Sequence, residues 1–481
     1  MYALLETSYR LHKQKQHKQK TSIYRSNLTL NGKSYRMETP ITVDKFRFLL
    51  YRLKEKLWIK PLLLCVLSIA CVFAAKAADS FIDSKHIPNI NAESVETLLS
   101  IMASTMMVIA TFSAGTMVNA YSSAGHSTTP RSLSLIISDD VSQYALSVFV
   151  GAFIYSAVAI TAMHLAFFDT AGVFILFCLT CTVFVVVILT FIRWVDSVAR
   201  LGRVESTVLK VEQATKRAIE HRINTPYLGA IPQHDAAVQG SHAVYTDEVG
   251  YIQLVDIARL QQLCEKEDLF INLNMLPGEF VTPEKPVGFA TEAGFDKEIL
   301  CAISIDPMRS FEADPRYGFI VLAEIASRAL SPAVNDHGTA IKIITSITRL
   351  LLLWHSTERV KKTDSQNNSH EFNNTSNFKN KKMLKNSHEP KYNRVSVPEL
   401  LISDIFDDAF TSISRDSNNN IEVAIRIQKS LITLSKCFEH VDKDFYRAAV
   451  KFQKETFDRC FENLNFEKDK ERLNLIFEES K

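Results

Sequence analysis

The densest group of side chains that could do chemistry lies between residues 309 and 336. These polar residues are Arg309, Asp314, Glu324, Arg328, Ser331, Asn335 and Asp336. Such a group forms either a polar pocket for a ligand or ion, or a structural network of ion pairs and helix caps. Glu324 and Arg328 are four residues apart and would pair across one helical turn. Both interpretations stay open, and ligand binding is most open for Arg309 and Asn335.

A second candidate group lies inside a long apolar stretch. Its members are small or polar and recur at steps of four and seven, which places them on one side of a helix: Ser100, Ser104, Thr111, Gly115 and Asn119. Inside a membrane, such residues favour close helix packing with interhelical hydrogen bonds, and they can also line a water-filled path. We favour packing and keep the path as the alternative.

Several chemistries lack their sequence signatures. The sequence contains no Walker loop, no G-x-S-x-G elbow and no H-E-x-x-H motif. The segment after Asp416 begins like a calcium loop, but Ile421 and Ile427 stand where that loop needs glycine and glutamate. We therefore predict no metal and no cofactor. An enzyme is the least favoured class, because no nucleophile–base pair stands out. The net charge of +2 does not favour nucleic acid as a partner.

Four segments are long and apolar enough to cross a bilayer. They are Pro61–Ala78, Thr97–Tyr121, Tyr144–Phe168 and Gly172–Ile192. The last has no charged residue, and its length matches the roughly 20 residues that a helix needs to span hydrocarbon. Backbone amides find no water in lipid, so each segment is predicted to be an α-helix. The lipid bilayer is therefore a predicted partner.

The distribution of basic residues predicts the orientation. Residues 1–60 carry 14 Lys and Arg, whereas the loop between the first two segments carries only Lys85. Loops rich in Lys and Arg stay in the cytoplasm. We expect a multi-pass protein of the inner (cell) membrane with both termini in the cytoplasm. No cleavable signal peptide is evident, because about 57 mostly polar residues precede the first apolar run.

The segments that flank the apolar block have distinct compositions. Residues 1–43 are predicted to form a disordered basic tail. Residues 44–192 are predicted to form an interfacial helix and the four-helix transmembrane domain. Residues 193–222 continue the apolar periodicity on one side of a predicted cytoplasmic stalk helix. That stripe must be buried, either in a coiled coil between copies or on the chain's own cytoplasmic region. A homo-oligomer is expected in the first case.

The rest of the chain predicts a mixed cytoplasmic region. Short β-branched and aromatic runs cut by Gly and Pro indicate a small α+β domain at residues 243–307. Amphipathic patterns predict a helical domain formed by residues 308–357 and 395–465. Between them, residues 358–394 are too poor in apolar side chains to fold and are predicted to be a disordered insert. The expected fold class is a membrane all-α unit of four transmembrane helices plus a cytoplasmic α+β and helical region.

The motif RALSPAVND at residues 328–336 carries a family resemblance. Together with PRSL at 130–133, GYIQLVD at 250–256 and PGEFV at 277–281, it resembles predicted bacterial inner-membrane proteins catalogued as a domain of unknown function. Members of that family usually read R-A-L-S-P-G-I-N-D-P, whereas this chain has Ala333, Val334 and His337 at three of those positions. The resemblance implies four spans and a cytoplasmic region, and it implies no activity.

Two function classes follow from these features. The first is an oligomeric channel- or transporter-like protein with a cytoplasmic regulatory domain, in which the second span lines a path. The second is a membrane-anchored sensor or scaffold that does not conduct. Neither the substrate nor an ion or small ligand is identified by the sequence.

Overall fold

The structure, a computed structural model, describes residues 58–81, 88, 90–137, 139–200, 202–233, 242–367 and 390–479. The predicted basic tail and interfacial helix lie outside the described residues, as does the part of the predicted insert between 368 and 389. Four long apolar helices come first, and a region of helices with two small sheets follows. The predicted fold class is confirmed in this arrangement of elements.

Four described helices are long and apolar enough to cross a membrane. They are α1 (Ile59–Phe81), α2 (Ala92–Ser127), α4 (Asp140–His164) and α5 (Thr170–Val198), and the short helix α3 (Leu133–Ile137) precedes α4. We call residues 58–200 the membrane unit. The 36 residues of α2 measure about 54 Å, so this helix extends well beyond roughly 30 Å of hydrocarbon.

Small residues bring α1 and α4 together at Gly151. A Cβ atom there would lie 3.3 Å from the Cβ of Leu64 and 3.4 Å from the Oγ of Ser68. The Ser68 hydroxyl donates to the carbonyl oxygen of Gly151 at 2.9 Å. This contact is the kind of close packing that small residues allow between spanning helices.

The C-terminal region, residues 204–479, contains ten further α-helices among its described residues. They are α6 (Val204–Asn224), α7 (Ile257–Glu267), α8 (Asp296–Leu300), α9 (Pro315–Ala329), α10 (His337–Asn367), α11 (Ile402–Phe406), α12 (Ser412–Asp416), α13 (Ile421–Phe438), α14 (Lys443–Asn463) and α15 (Glu467–Glu478). A π-helical turn, Asp407–Thr411, joins α11 to α12. One apolar core unites α6 with α9–α15 and includes Phe406, Phe410 and Phe438.

Eight short strands form two sheets in the described part of the C-terminal region. The strands are β1 (Ile231–Pro232), β2 (His242–Val244), β3 (Gly250–Val255), β4 (Ile271–Leu273), β5 (Phe280–Val281), β6 (Gly288–Ala290), β7 (Ile303–Asp306) and β8 (Val395–Val397). One sheet has the order β1-β8-β4-β6-β2, and the other has the order β5-β3-β7. β8 pairs in parallel with both β1 and β4, so the sheet region extends on both sides of the predicted 243–307 domain.

Residues 193–222, predicted to form a stalk helix, are divided between two helices. α5 ends at Val198, the chain turns at Gly202, where φ is +84°, and α6 begins at Val204. The apolar stripe of α6 packs on α9 and α10, and its residues Val208 and Val211 are buried. The chain's own C-terminal region therefore covers the stripe, and the stripe gives no support to a coiled coil between copies.

Helix α10 is longer than the sequence predicts. Its apolar pattern ends near His355, yet the helix continues to Asn367, into the predicted insert. The first ten residues of that insert, 358–367, are therefore helical.

Candidate functional site

The residues of the 309–336 group do not meet in one pocket. Asp314 caps the N-terminus of α9, and Arg328 lies in its last turn. The two residues are 14 positions apart, which corresponds to about 21 Å along a helix. The group therefore divides into three places: the start of α9, the side of α9 that contacts the membrane unit, and the turn after α9.

Arg328 binds the C-terminal end of α2. Its Nη1 donates to the carbonyl oxygen of Thr128 at 2.8 Å, and its Nη2 donates to the carbonyl oxygen of His126. The last carbonyls of a helix lack partners within the helix and carry partial negative charge, so a guanidinium is a favourable partner there. This contact ties α9 to the end of the second apolar helix.

Glu324 also contacts the membrane unit. Its carboxylate pairs with the guanidinium of Arg131, in the turn between α2 and α3. The predicted pair of Glu324 with Arg328 is not observed, because each side chain has a partner outside its own helix. Burial raises the pKa of Glu324, and the nearby Arg131 opposes that rise.

A third contact holds the start of α4. The carboxylate of Asp139 accepts hydrogen bonds from the backbone N–H and the hydroxyl of Ser142, at 3.1 and 2.9 Å, and thereby caps the helix. Its other oxygen accepts from Nζ of Lys210, on α6, at 2.7 Å. Burial would raise the pKa of Asp139, but Lys210 and Ser142 outweigh burial and hold that pKa below its usual value.

These three contacts form one surface, which we call the membrane joint. Its side chains are Arg131, Asp139, Lys210, Glu324 and Arg328. The joint connects α6 and α9 of the C-terminal region to the end of α2 and the start of α4. Lys60, at the start of α1, adds an ion pair with Asp140 at 2.5 Å. Side chains of the joint thus fix the adjacent ends of two apolar helices.

The start of α9 contains the second group, which we call the buried cluster. Arg309 donates to one oxygen of Asp314 through Nε at 2.8 Å and Nη2 at 2.6 Å, and the other oxygen accepts from the Tyr317 N–H at 3.2 Å. Arg316 pairs with Asp404 and Asp408 at 2.8 and 2.7 Å. Asp314 is only 3% exposed, so its partners replace water almost completely.

Arg222, at the end of α6, completes the buried cluster. It is 8% exposed, and its Nη2 makes no hydrogen bond in the part of the chain that the structure describes. Burial lowers the pKa of Arg222 to about 10, while the charge of Asp314 favours the protonated form. The guanidinium is therefore still charged at neutral pH. An arginine this buried without a hydrogen-bonded carboxylate is uncommon.

The turn at Gly278 closes over the buried cluster. The residue has φ of +96°, a conformation that L-residues rarely adopt, and a Cβ atom there would overlap the carboxylate of Asp314. Gly278 belongs to the PGEFV segment, so that segment packs its glycine against the helix cap. Burial raises the pKa of the adjacent Glu279.

The third group, in the turn between α9 and α10, is explained by backbone geometry. Asn335 adopts a positive φ of +51°, which asparagine tolerates better than most residues. Asp336 caps α10 by accepting from the N–H and hydroxyl of Thr339 at 3.0 and 2.6 Å. The Ser331 hydroxyl donates to the carbonyl oxygen of Arg328 at 2.7 Å. These bonds shape the turn that presents Arg328 to the membrane joint.

The polar group on the second apolar helix, α2, is not covered by the other three apolar helices. Ser100, Ser104, Thr111, Gly115 and Asn119 are all exposed. A Cβ atom on Gly115 would meet no atom within 4 Å. Packing against the chain's own helices therefore does not explain this group. Ser104 and Thr111 donate instead to carbonyl oxygens of α2 itself.

Sequence reasoning missed seven charged residues of these sites, three in the membrane joint and four in the buried cluster: Arg131, Asp139 and Lys210, and Arg222, Arg316, Asp404 and Asp408. Their partners are far away along the chain, and nothing in local spacing connects them. The resemblance segment PRSL, which contains Arg131, was the available signal. Among the described residues, no group of three His, Cys, Asp or Glu side chains is arranged to hold a metal ion.

The chain resembles curated proteins over a short stretch. Over 104 residues, 20% of this chain, it is 31% identical to the uncharacterized protein Rv1290c of Mycobacterium tuberculosis and to the uncharacterized protein Mb1321c of Mycobacterium bovis. The chain spans about a fifth of the length of these relatives, 20% in each case. No solved structure matches it. The family described as "Predicted membrane protein (DUF2254)" matches residues 54–433, far more than half of the sequence, and the chain belongs to this family.

Proposed function

We propose that this protein is a membrane-anchored sensor or scaffold whose C-terminal region sets the position of the apolar helices α2 and α4. The membrane joint is the observation that carries the proposal. Arg328 on α9 holds the end of α2, and Lys210 on α6 holds the start of α4. Because α6 and α9 pack on each other, a shift between them changes both contacts together.

The close contact of α6 with α9 offers a direct test. A Cβ atom on Gly318 would overlap the side chain of Thr215, so Gly318→Ala must push α9 away from α6. We expect faster amide hydrogen exchange at residues 128–137 in this variant, because the joint transmits the shift. Gly338→Ala is the matched control, since its Cβ atom meets an atom only at 3.4 Å. Faster exchange confined to α6 and α9 would contradict the proposal.

The proposed location is the inner membrane, with the joint and both termini in the cytoplasm. The supporting argument is the excess of Lys and Arg in residues 1–60 and 193–222. A membrane-impermeant maleimide added to intact cells should label Glu93→Cys, near the start of α2. It should not label Lys436→Cys, on α13, above the level of the parent protein. The opposite pattern would reverse the orientation.

An oligomeric channel- or transporter-like assembly is the second candidate. One observation favours it: the polar side of α2, from Ser100 to Asn119, is exposed although it belongs to an apolar helix. A second copy could pack there, and several copies could enclose a path. The C-terminal region would then regulate that path through the joint.

Cross-linking in membranes tests the second candidate. Gly115→Cys should form a disulfide-linked dimer on oxidation, because the position is open to a neighbouring copy. Ser113→Cys serves as the control, since Ser113 is fully buried on the opposite side of α2. If Gly115→Cys gives no more dimer than the parent protein and Ser113→Cys, the α2 contact between copies is excluded and the path with it.

A further inference from the structure

A groove lies between α10 and α13. Its lining residues belong to neither the buried cluster nor the membrane joint. Its volume is about 330 Å³. Each helix contributes four residues at the spacing of one helical side: Thr345, Thr348, Arg349 and Leu352 from α10, and Arg426, Lys429, Ser430 and Thr433 from α13. This volume falls within the range of small-molecule sites.

The groove is strongly basic. Three of its described lining residues are cations: Arg349, Arg426 and Lys429. None of the described lining residues is acidic. The side chains of Arg426 and Lys429 form no ion pair or hydrogen bond with the residues that the structure describes. Like charges three residues apart on one helix repel each other, and Arg349 adds a third positive charge across the groove. An anion bound between the helices would remove this repulsion.

The hydroxyl of Ser430 adds a further hydrogen-bond donor to the groove. Ser430 is 6% exposed and lines the groove, and its hydroxyl makes no hydrogen bond with any described residue. The threonine hydroxyls differ, because Thr345, Thr348 and Thr433 donate to carbonyl oxygens of their own helices at 2.8–2.9 Å. Ser430 thus adds an O–H donor to the groove, beside two cations whose side chains have no acidic partner among the described residues.

We propose that this groove binds a small, soluble, phosphate-bearing molecule. Arginine and lysine supply the charge and the N–H donors that phosphate oxygens require, and Ser430 supplies an O–H donor. The oxygens of the threonines can accept hydrogen bonds from hydroxyl groups of the same ligand. The binding itself does not depend on the sensor function proposed above.

Arg349 gives the site a route to the membrane unit. Its guanidinium pairs with Glu212 on α6, with Nε 3.0 Å from the carboxylate, while its side chain also lines the groove. Lys342 pairs in the same way with Glu205, seven residues earlier on both helices. A bound phosphate competes with Glu212 for Arg349 and so loosens one of the two ion pairs that the described side chains form between α10 and α6. This step rests on the proposed function.

Two variants that keep every observed ion pair test the binding. The probe is pyrophosphate, added to the full-length protein in detergent at constant ionic strength. We expect a saturable rise in Tm for the parent, and an apparent Kd at least tenfold weaker for the double variant Arg426→Gln/Lys429→Gln. Lys436→Gln removes one exposed charge from the same helix outside the groove and should bind like the parent.

Three results would overturn the proposal. The first is an equal Tm rise in the parent and the double variant, which would place the anion elsewhere. The second is a rise that never saturates, which would indicate a general salt effect. The third is stabilisation by anionic lipid in nanodiscs, lost in the double variant, with no response to pyrophosphate, since the groove would then bind a lipid headgroup. A failure of residues 128–137 to respond in hydrogen exchange, with binding intact, would count only against the transmission step and the sensor function.

Discussion

The guanidinium of Arg328 donates to the carbonyl oxygen of Thr128, exactly two hundred residues earlier in the chain, at 2.8 Å. Thr128 immediately follows the second apolar helix and is buried, whereas Arg328 is exposed. A side chain from the RALSP segment therefore completes the end of a helix in the membrane unit. The RALSP segment therefore has a structural role outside its own helix, at the end of α2.

Arg328→Ala should weaken the joint without unfolding the protein. The lost bonds join an exposed cation to carbonyl oxygens, so we expect the free energy of unfolding to fall by about 1–3 kcal/mol. Chemical denaturation in detergent measures this loss. Arg131→Ala should cost less, below about 1 kcal/mol, because its pair with Glu324 is partly exposed. An equal cost for both variants would argue against the helix-end contact as the main bond of the joint.

The buried cluster should respond unequally to two substitutions. Asp314→Asn leaves the partly buried Arg309 without its carboxylate partner and should reduce the free energy of unfolding by about 3 kcal/mol. Arg222→Met should change it by less than about 1 kcal/mol, because Arg222 has an unsatisfied Nη2 and the apolar side chain avoids desolvating a charge. Thermal or chemical denaturation compares them. A large loss with Arg222→Met would show that Arg222 has a partner that stabilises the fold.

Gly278→Ala should be more damaging than another glycine substitution with the same backbone strain. A Cβ atom at Gly278 would overlap the carboxylate of Asp314, whereas one at Gly294 would meet nothing within 4 Å. Both residues have a φ near +100°, at +96° and +99°. The strain alone costs about 1–3 kcal/mol, so Gly294→Ala measures that part and Gly278→Ala adds the steric clash. Equal Tm values for the two variants would exclude the close contact with Asp314.

Stability should fall in acid partly through Asp139. Its pKa in the folded protein lies below its usual value, so its ion pair with Lys210 contributes fully above about pH 4 and is lost as pH falls further. Asp139→Asn should therefore lower stability at pH 6 and flatten the decline below about pH 4. Asp140→Asn is the control, because Asp140 is mostly exposed. An unchanged pH profile in Asp139→Asn would contradict this assignment.

The sequence predicted the elements better than their partners. The four apolar helices follow directly from composition, because lipid allows few alternatives to a helix. α2 begins before the predicted span, at Ala92, where the side chain of Asn91 accepts from the Glu93 N–H and caps the helix. Hydropathy predicts only the apolar part of such a helix and does not predict where its polar ends begin and stop.

The candidate site was harder to predict because its contacts are distant in sequence. The spacing of Glu324 and Arg328 correctly places them on one side of α9, but spacing cannot show that Arg131 and two backbone carbonyls lie closer. Likewise, the stripe on α6 had to be buried, and the sequence left open whether a copy or the same chain buries it. The choice depends on how α9 and α10 return to α6, which local patterns do not encode.

Strand β8 has a consequence for how the protein is made. It is synthesised after residue 394, yet it lies between β1 and β4 and joins the two parts of the five-stranded sheet. During translation, β1 and β4 must wait for more than 100 residues of chain before either gains this neighbour. A nascent chain that stops before Val395 therefore carries β1 without a strand partner and an exposed edge at β4, and both are prone to wrong pairing. A chain truncated before β8 is thus expected to aggregate rather than to fold as a shorter protein.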